Sequence, residues 1–515
     1  MAPILCFARK FLVAICVTGI ILEAIYTGRI QTSTKMRAFQ EHFNNLGRSG
    51  AMLSTSNDAG TGLSADNESG FVTGMYYSNW SPYAARKHFP HDIDFRKLTH
   101  VYYAFLVVNS ETGECQLSDE WSDVQMDLYK QMISSFKKLD LRAQFPTGSK
   151  DKLPLGCIGE LFFLKYSNFL TRNGGSAGVN NFKTIMSVGG WSNREAFTSL
   201  VESPAKLEVF LDSCVSKMFE YGFDGIDIDW EFPKNDAKEP KVYLQMLKAL
   251  RERLDTLESQ IFGSKDHKHH FALTSAISAD EECLKYLPLQ EADRYVDYWN
   301  LMAYDFSGAW SAQTAYQSNL YTPAKTNKRS TNGRGSADKA VRFLTDKSKL
   351  ASKKIVLGMP AYGRGFKGVE VSHKSIENVI GKPFQDVSGS SEGEEGISLY
   401  KQLPLKGGME FFDHNAVSAY CVKLSHNKKQ AELIVYDNVD SMIQKAHYVE
   451  KNHLGGGFWW ESCGEDYKGK SLVGAFTKEI KCLNKTEPTI YSLPEVVQHY
   501  LKLHPGGFLA STFQN

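Results

Sequence analysis

The stretch DGIDIDWEF, residues 224–232, sets Asp227, Asp229 and Glu231 at every second position between Ile226, Ile228 and Trp230. A period of two is the signature of a β-strand, with successive side chains on opposite faces. One face is then bulky and apolar, and the other is a row of three carboxyls. Side chains two residues apart on a strand sit roughly 7 Å from each other. Like charges that close, in a site of low dielectric, cannot all be ionised, and their pKa values are pushed apart. A carboxyl kept protonated near neutral pH is what a general acid requires. Two plainer readings compete, a solvated acidic face and a cation site. The Ile and Trp side chains argue for burial. A calcium loop would use a flexible, glycine-containing turn rather than such a strand.

A strand like this needs a frame. Seven further β-rich segments accompany residues 223–232: 71–80, 98–108, 183–191, 270–278, 296–306, 354–363 and 455–462. Between them lie segments with helical spacing, such as PAKLEVFLDSCVSKMFEYG and KVYLQMLKALRERLDTLESQ. Eight strands alternating with helices predict an α/β fold of the (β/α)8, or TIM, barrel type. A doubly wound open sheet is the alternative, but no glycine-rich phosphate turn follows the first strand. In a barrel every second strand residue points inward. Asp227, Asp229 and Glu231 would then climb the interior toward the C-terminal rim, where sites of this architecture sit. Asp224 has the opposite parity and reads as structural support. The gap after the seventh strand is too long for one helix. It predicts an α+β insertion domain over 367–445, between barrel parts 71–366 and 446–482. Residues 483–515 read as a tail carrying a helix.

The chain has 515 residues and a formal net charge of +1, so no strong field points to nucleic acid. Arg9 and Lys10 precede the apolar run FLVAICVTGIILEAIY, and residues 1–27 read as a signal peptide or an uncleaved membrane anchor. Residues 28–70, rich in Ser, Thr, Asn and Gly, read as a flexible stalk. Entry into the secretory pathway follows, to a secreted or wall-associated place or one held at the membrane. Sequons at Asn67, Asn79 and Asn484 are compatible with it. Of nine cysteines, Cys6 and Cys16 lie in the signal, and the seven others contain no C-x-x-C pair. No zinc site is expected, and at least one thiol stays outside any internal pairing.

The motif DGIDIDWE resembles the D-x-x-D-x-D-x-E signature of family 18 glycoside hydrolases, the chitinases. SVGGW (187–191), MAYD (302–305), GMPAYGRGF (358–366) and GGGFWWES (455–462) are similar to further stretches of that family, in its order. The insertion, with LYKQLP, YDNVDS and SLVGAF, and the tail YSLPEVVQHYLK resemble the fungal class V, bacterial-type subgroup. The resemblance implies cleavage of β-1,4 bonds between N-acetylglucosamine units, as in the remodelling of wall chitin. It implies retention through substrate assistance, in which the acetamido oxygen is the nucleophile. Glu231 would be the acid and then the base, Asp229 would orient the acetamido group, and Asp227 would hold a shared proton below. Tyr304 would hydrogen-bond the attacking oxygen. Substrate contacts are expected at Tyr76, Phe105, Trp191, Met302, Asp305, Arg364 and Trp460. For Phe105 plain packing is the alternative, and for Arg364 a salt bridge at the rim. Trp459 would face the core. Gly189 and Gly190 would let the backbone approach the ligand or Asp227. Tyr316 departs from relatives that carry His or another polar residue, which would alter the leaving-group side. The partner implied is chitin or its oligomers, bound by a monomer without cofactor or metal. A non-catalytic chitin-binding lectin and an endo-β-N-acetylglucosaminidase are the rival readings. The intact Glu231 argues against the first and the insertion against the second.

Overall fold

The computed structural model describes residues 70–131, 153–172, 181–263, 268–323, 335–372, 375–389, 394–480, 483 and 489–513. The signal, residues 28–69 of the stalk, Asn67, Asn484 and Cys482 lie outside them. Each β-rich segment forms one barrel strand. These are β1 (Val72–Ser78), β2 (His100–Val108), β4 (Lys183–Gly189), β5 (Gly225–Asp229), β6 (Ala272–Ser278), β7 (Tyr298–Met302), β8 (Ile355–Pro360) and β15 (Gly456–Trp460). All eight run parallel, and β1 pairs with both β2 and β15, which closes the ring. A short strand β3 (Cys115–Leu117) folds back antiparallel on β2.

The helices cover the barrel because their apolar residues recur on one face. Helix α1 spans Gly156–Arg172, α2 spans Pro204–Glu220 and α3 spans Glu239–Phe262. In α2, Pro204 occupies the first turn, where its missing N–H costs nothing, and the Ser203 side chain caps the Lys206 N–H. Leu207, Phe210, Leu211, Cys214, Val215 and Met218 make its buried stripe.

After β8 the chain enters a second, antiparallel sheet of six strands. It contains β9 (Tyr362–Glu370), β10 (Asp386–Ser388), β11 (Ile397–Leu399), β12 (Met409–Asp413), β13 (Ser418–Leu424) and β14 (Gln430–Tyr436). Helix α4 (Val439–Lys451) then returns to the barrel, followed after β15 by α5 (Leu472–Glu479). The inserted sheet has its own core, including Phe366, Val369, Val422, Leu433 and Val435. Tyr316 belongs to that core. It is buried, lies against Tyr420 and donates to Asp413 (2.9 Å). The expected effect on the leaving-group side is corrected: Tyr316 stitches the connection after β7 to the insertion.

The tail is an integral part of the fold. Its helix α6 (Pro494–Leu503) buries Val496 and Tyr500, and Tyr491 just before it is fully buried. The Tyr491 hydroxyl donates to the Phe223 carbonyl (3.0 Å) and that of Tyr500 to the Glu220 carbonyl (2.9 Å). The turn that leads into β5 is therefore held from below.

Candidate active site

The site is built on the upper end of β5. Ile226 and Ile228 are fully buried on the helix side, and Trp230 stacks on Phe197 with ring centroids 5.0 Å apart. That packing turns Asp227, Asp229 and Glu231 to the interior. Asp224, at the lower end, pairs with Lys165 of α1 (2.6 Å) and accepts from Thr489 of the tail (3.0 Å). This is the supporting position its parity predicts.

Asp227 is wholly enclosed. Its carboxyl accepts from Thr274 Oγ1 (2.6 Å), Ser187 Oγ (2.7 Å), the Tyr76 hydroxyl (2.8 Å) and Asn300 Nδ2 (3.3 Å). Burial pushes its pKa up, and these hydrogen bonds pull it back. Burial is the larger effect, so its pKa lies above the usual carboxylate value, and the four donors fix the carboxyl in one orientation. Asp229 has no such set. Burial first, then Glu231 and Asp227, push its pKa well up. Its Oδ1 is buried without a hydrogen-bond partner. Glu231, half-buried at the rim, is pushed up to about 7 by burial and then by the Asp305 charge. Asp229 and Glu231 together therefore retain a proton near neutrality, as one coupled set.

Asp305 sits at a φ of 59°, uncommon for a residue with a side chain, and is held there by three donors. Arg364 grips it with two parallel hydrogen bonds (2.6 and 2.8 Å), and the Tyr362 hydroxyl donates to it (2.6 Å). The rim salt bridge is thus the arrangement Arg364 adopts, with its guanidinium also over Trp310 (4.7 Å). Burial, then Asp229, Glu231 and Asp305, push the Tyr304 hydroxyl well above its usual range. It stays protonated and able to donate.

Above the carboxyls opens a cleft of about 1530 Å³. Phe105, Trp191, Met302, Tyr304, Asp305, Arg364 and Trp460 line it, together with Asp229, Glu231, Gly189 and Gly190. Tyr76 lines its floor, stacked on Tyr102 (4.7 Å), while its hydroxyl serves Asp227. Phe105 stacks on Trp460 (5.7 Å), so it both packs and faces the cleft. Trp191 is 60% exposed, with the Arg194 guanidinium over its ring. Trp459 is fully buried on the far side of β15. Gly189 has a φ of 127°, and a Cβ there would fall 2.1 Å from the Asp229 carbonyl. The close approach that glycine permits is to Asp229, not Asp227. A Cβ on Gly190 would strike the Phe105 ring.

Several residues of the site escaped the sequence reading. Ser187, Asp227 and Thr274 lie in register across β4, β5 and β6, and Asn300 faces inward on β7. Strand parity could have selected them. Trp80, Arg86, Trp310, Glu394 and Glu461 also line the cleft, from connections without periodicity. The Asn79 sequon is corrected: Asn79 is buried, and its amide donates to Ser118 (2.7 Å) and Asp123 (2.8 Å). In the folded protein that amide is not open to a glycan. Cys115, Cys157, Cys214, Cys283 and Cys421 are free thiols. Among the described residues no group of three or more His, Cys, Asp or Glu could hold a metal ion.

Known proteins share this frame. Over 504 residues the chain is 40% identical to Sporulation-specific chitinase 2 of Saccharomyces cerevisiae, covering 95% of this chain and 93% of that protein. It is 32% identical to Endochitinase 1 of Metarhizium robertsii over 439 residues, 84% of this chain and 91% of that one. Two solved structures have the same fold. The catalytic domain of psychrophilic chitinase B from Arthrobacter TAD20 aligns with a TM-score of 0.66 at 23% identity, over 82% of this chain and 98% of that one. The class V chitinase of Nicotiana tobaccum, solved in complex with NAG4, gives 0.59 at 22%, over 80% and 99%. The family model for Glycosyl hydrolases family 18 matches residues 72–465. With barrel, carboxyl ladder and cleft in place, the chain belongs to glycosyl hydrolase family 18.

Proposed function

We propose that the protein is a chitinase that cleaves β-1,4 bonds between N-acetylglucosamine units with retention, through substrate assistance. The observation that carries this reading is the pairing of Glu231, with its pKa near 7, with an enclosed Asp229 whose Oδ1 has no donor. An acetamido N–H is the donor that oxygen requires. The acetamido oxygen attacks the anomeric carbon while Glu231 gives its proton to the departing glycosidic oxygen. An oxazolinium ion forms, and Asp229 and the Tyr304 hydroxyl hold the acetamido group in place. Water then attacks the same carbon, Glu231 takes its proton, and the carboxyl is restored for the next turn. Asp227, fixed by its four donors, anchors the ladder from below. Trp460 offers a flat face to the C–H side of the sugar. The oligomer held by the tobacco relative is the ligand class the cleft would take.

The test is release of a fluorophore from N-acetylglucosamine oligomers. Glu231→Gln should lose about 10²–10⁴ in kcat, the usual worth of a general acid, while still binding oligomer. A thiazoline mimic of the oxazolinium ion should block the wild type. Near-normal turnover by Glu231→Gln would sink the assignment. The setting we favour is wall chitin of the producing cell, reached by secretion, since the S. cerevisiae relative is named for sporulation. Recovery of the protein from the cytosol alone would count against that.

A further inference from the structure

Glu461 follows Trp460 directly and lines the same cleft. It is 5% exposed, so a carboxylate there must be compensated. One of its oxygens is: Arg86 donates to Oε1. Arg86 is itself fixed, with its guanidinium over the Trp80 ring (5.6 Å) and a second donation to Ser78 Oγ (3.4 Å). The other oxygen, Oε2, is buried and has no hydrogen-bond partner. Glu394 lines the cleft as well, from the insertion side. Glu394 is exposed and feels both Arg364 and Arg86, whereas Glu461 Oε2 is enclosed and unmet. A buried acceptor left unmet is costly, and native structures seldom keep one without a use.

The carboxyl ladder gives Glu461 no task, since it lies outside β5, just past the end of β15. Its place beside Trp460 and Trp80 does suggest one. A pyranose lying on an aromatic face turns its hydroxyls outward, at the edge of the ring. We propose that Glu461, held by Arg86, is a specificity-determining residue that accepts a hydroxyl hydrogen bond from the sugar unit flanking the one over Trp460. The ligand class is a neutral β-linked N-acetylglucosamine chain, so the inference rests on the ligand named in the chitinase reading, not on its bond cleavage. The bond forms equally in ground and transition states, and its loss should appear in KM rather than kcat.

The experiment compares wild type, Glu461→Gln and Arg86→Gln on N-acetylglucosamine hexamer, with thermal melting recorded for each. It also titrates the hexamer into Glu231→Gln and into Glu231→Gln/Glu461→Gln. A hydrogen bond to a charged group corresponds to about a tenfold change in affinity. Glu461→Gln should raise KM about tenfold with kcat within about twofold, and the double variant should bind about tenfold more weakly. Arg86→Gln, which frees the carboxylate, should move KM the same way. A folded Glu461→Gln protein with the wild-type KM and affinity would overturn the proposal. If that variant does not fold, an unchanged KM in Arg86→Gln overturns it instead. Absence of turnover by the wild type, with Glu461-dependent binding intact, would fell the chitinase reading and leave this one standing.

Discussion

Glu231 owes its proton to its place. Burial raises its pKa first and the Asp305 charge second, while a backbone hydrogen bond from Trp191 and the Arg194 charge oppose them. In the proposed role of general acid Glu231 works only when protonated, so kcat/KM should be sustained below about pH 7 and fall as pH rises through that value. Asp305→Asn removes a like charge and lowers the pKa of Glu231, so the alkaline limb should move to lower pH. A pH profile of kcat/KM for both proteins checks this, and an unmoved limb would refute the part given to Asp305. At this scale the ladder itself was legible, because alternation of Asp or Glu with Ile and Trp is rare and has one good explanation. Its supports were not. Ser187, Thr274 and Asn300 are ordinary polar residues in apolar strands, and their use depends on the register between strands. Arg364 shows the limit of type alone: contact with sugar and a grip on Asp305 fit the same guanidinium.

Strand β5 is fixed at both ends. At the lower end Lys165 donates to Asp224 (2.6 Å), Thr184 Oγ1 (2.6 Å) and the Gly222 carbonyl (2.6 Å), all out of water. Removing one partner of a buried pair leaves an uncompensated charge, at a cost of roughly 3–5 kcal/mol. Lys165→Met should lower the unfolding free energy by about that much, read from urea denaturation. A loss under about 1 kcal/mol would mean that water or Thr489 makes good the deficit. All eight barrel strands were expected where they occur, since β-branched and aromatic runs bounded by turn residues carry their own signal. The partner of Asp224 was not, because Lys165 is 59 residues away on a helix whose inward face includes a charge. The insertion was expected from length alone. Its sheet begins at Tyr362, so the strand that opens it also delivers Arg364 and Tyr362 to the cleft.

At the scale of the molecule, the last described residues belong to the core. Tyr491, Tyr500 and Leu509 are fully buried, and Phe162 and Phe219 pack against this segment. Burial of such side chains contributes about 1.5–3 kcal/mol each. A chain ending at residue 488 should melt roughly 5–10 °C lower by scanning calorimetry, since aromatic surface is returned to water. An unchanged melting temperature would show the tail to be ornamental. The ring closure has a consequence of another kind, in time. Strand β1 bonds on one side to β2 and on the other to β15, with Val72 opposite Gly456. A ribosome delivering about 5–20 residues per second needs roughly 20–80 s to travel from the first of these strands to the last. Any sheet formed within that interval is open, and its first strand shows a row of unanswered amides and carbonyls, the surface on which chains pair wrongly. Slower translation lengthens that exposure, so yield of folded enzyme is set partly by the rate at which its message is read.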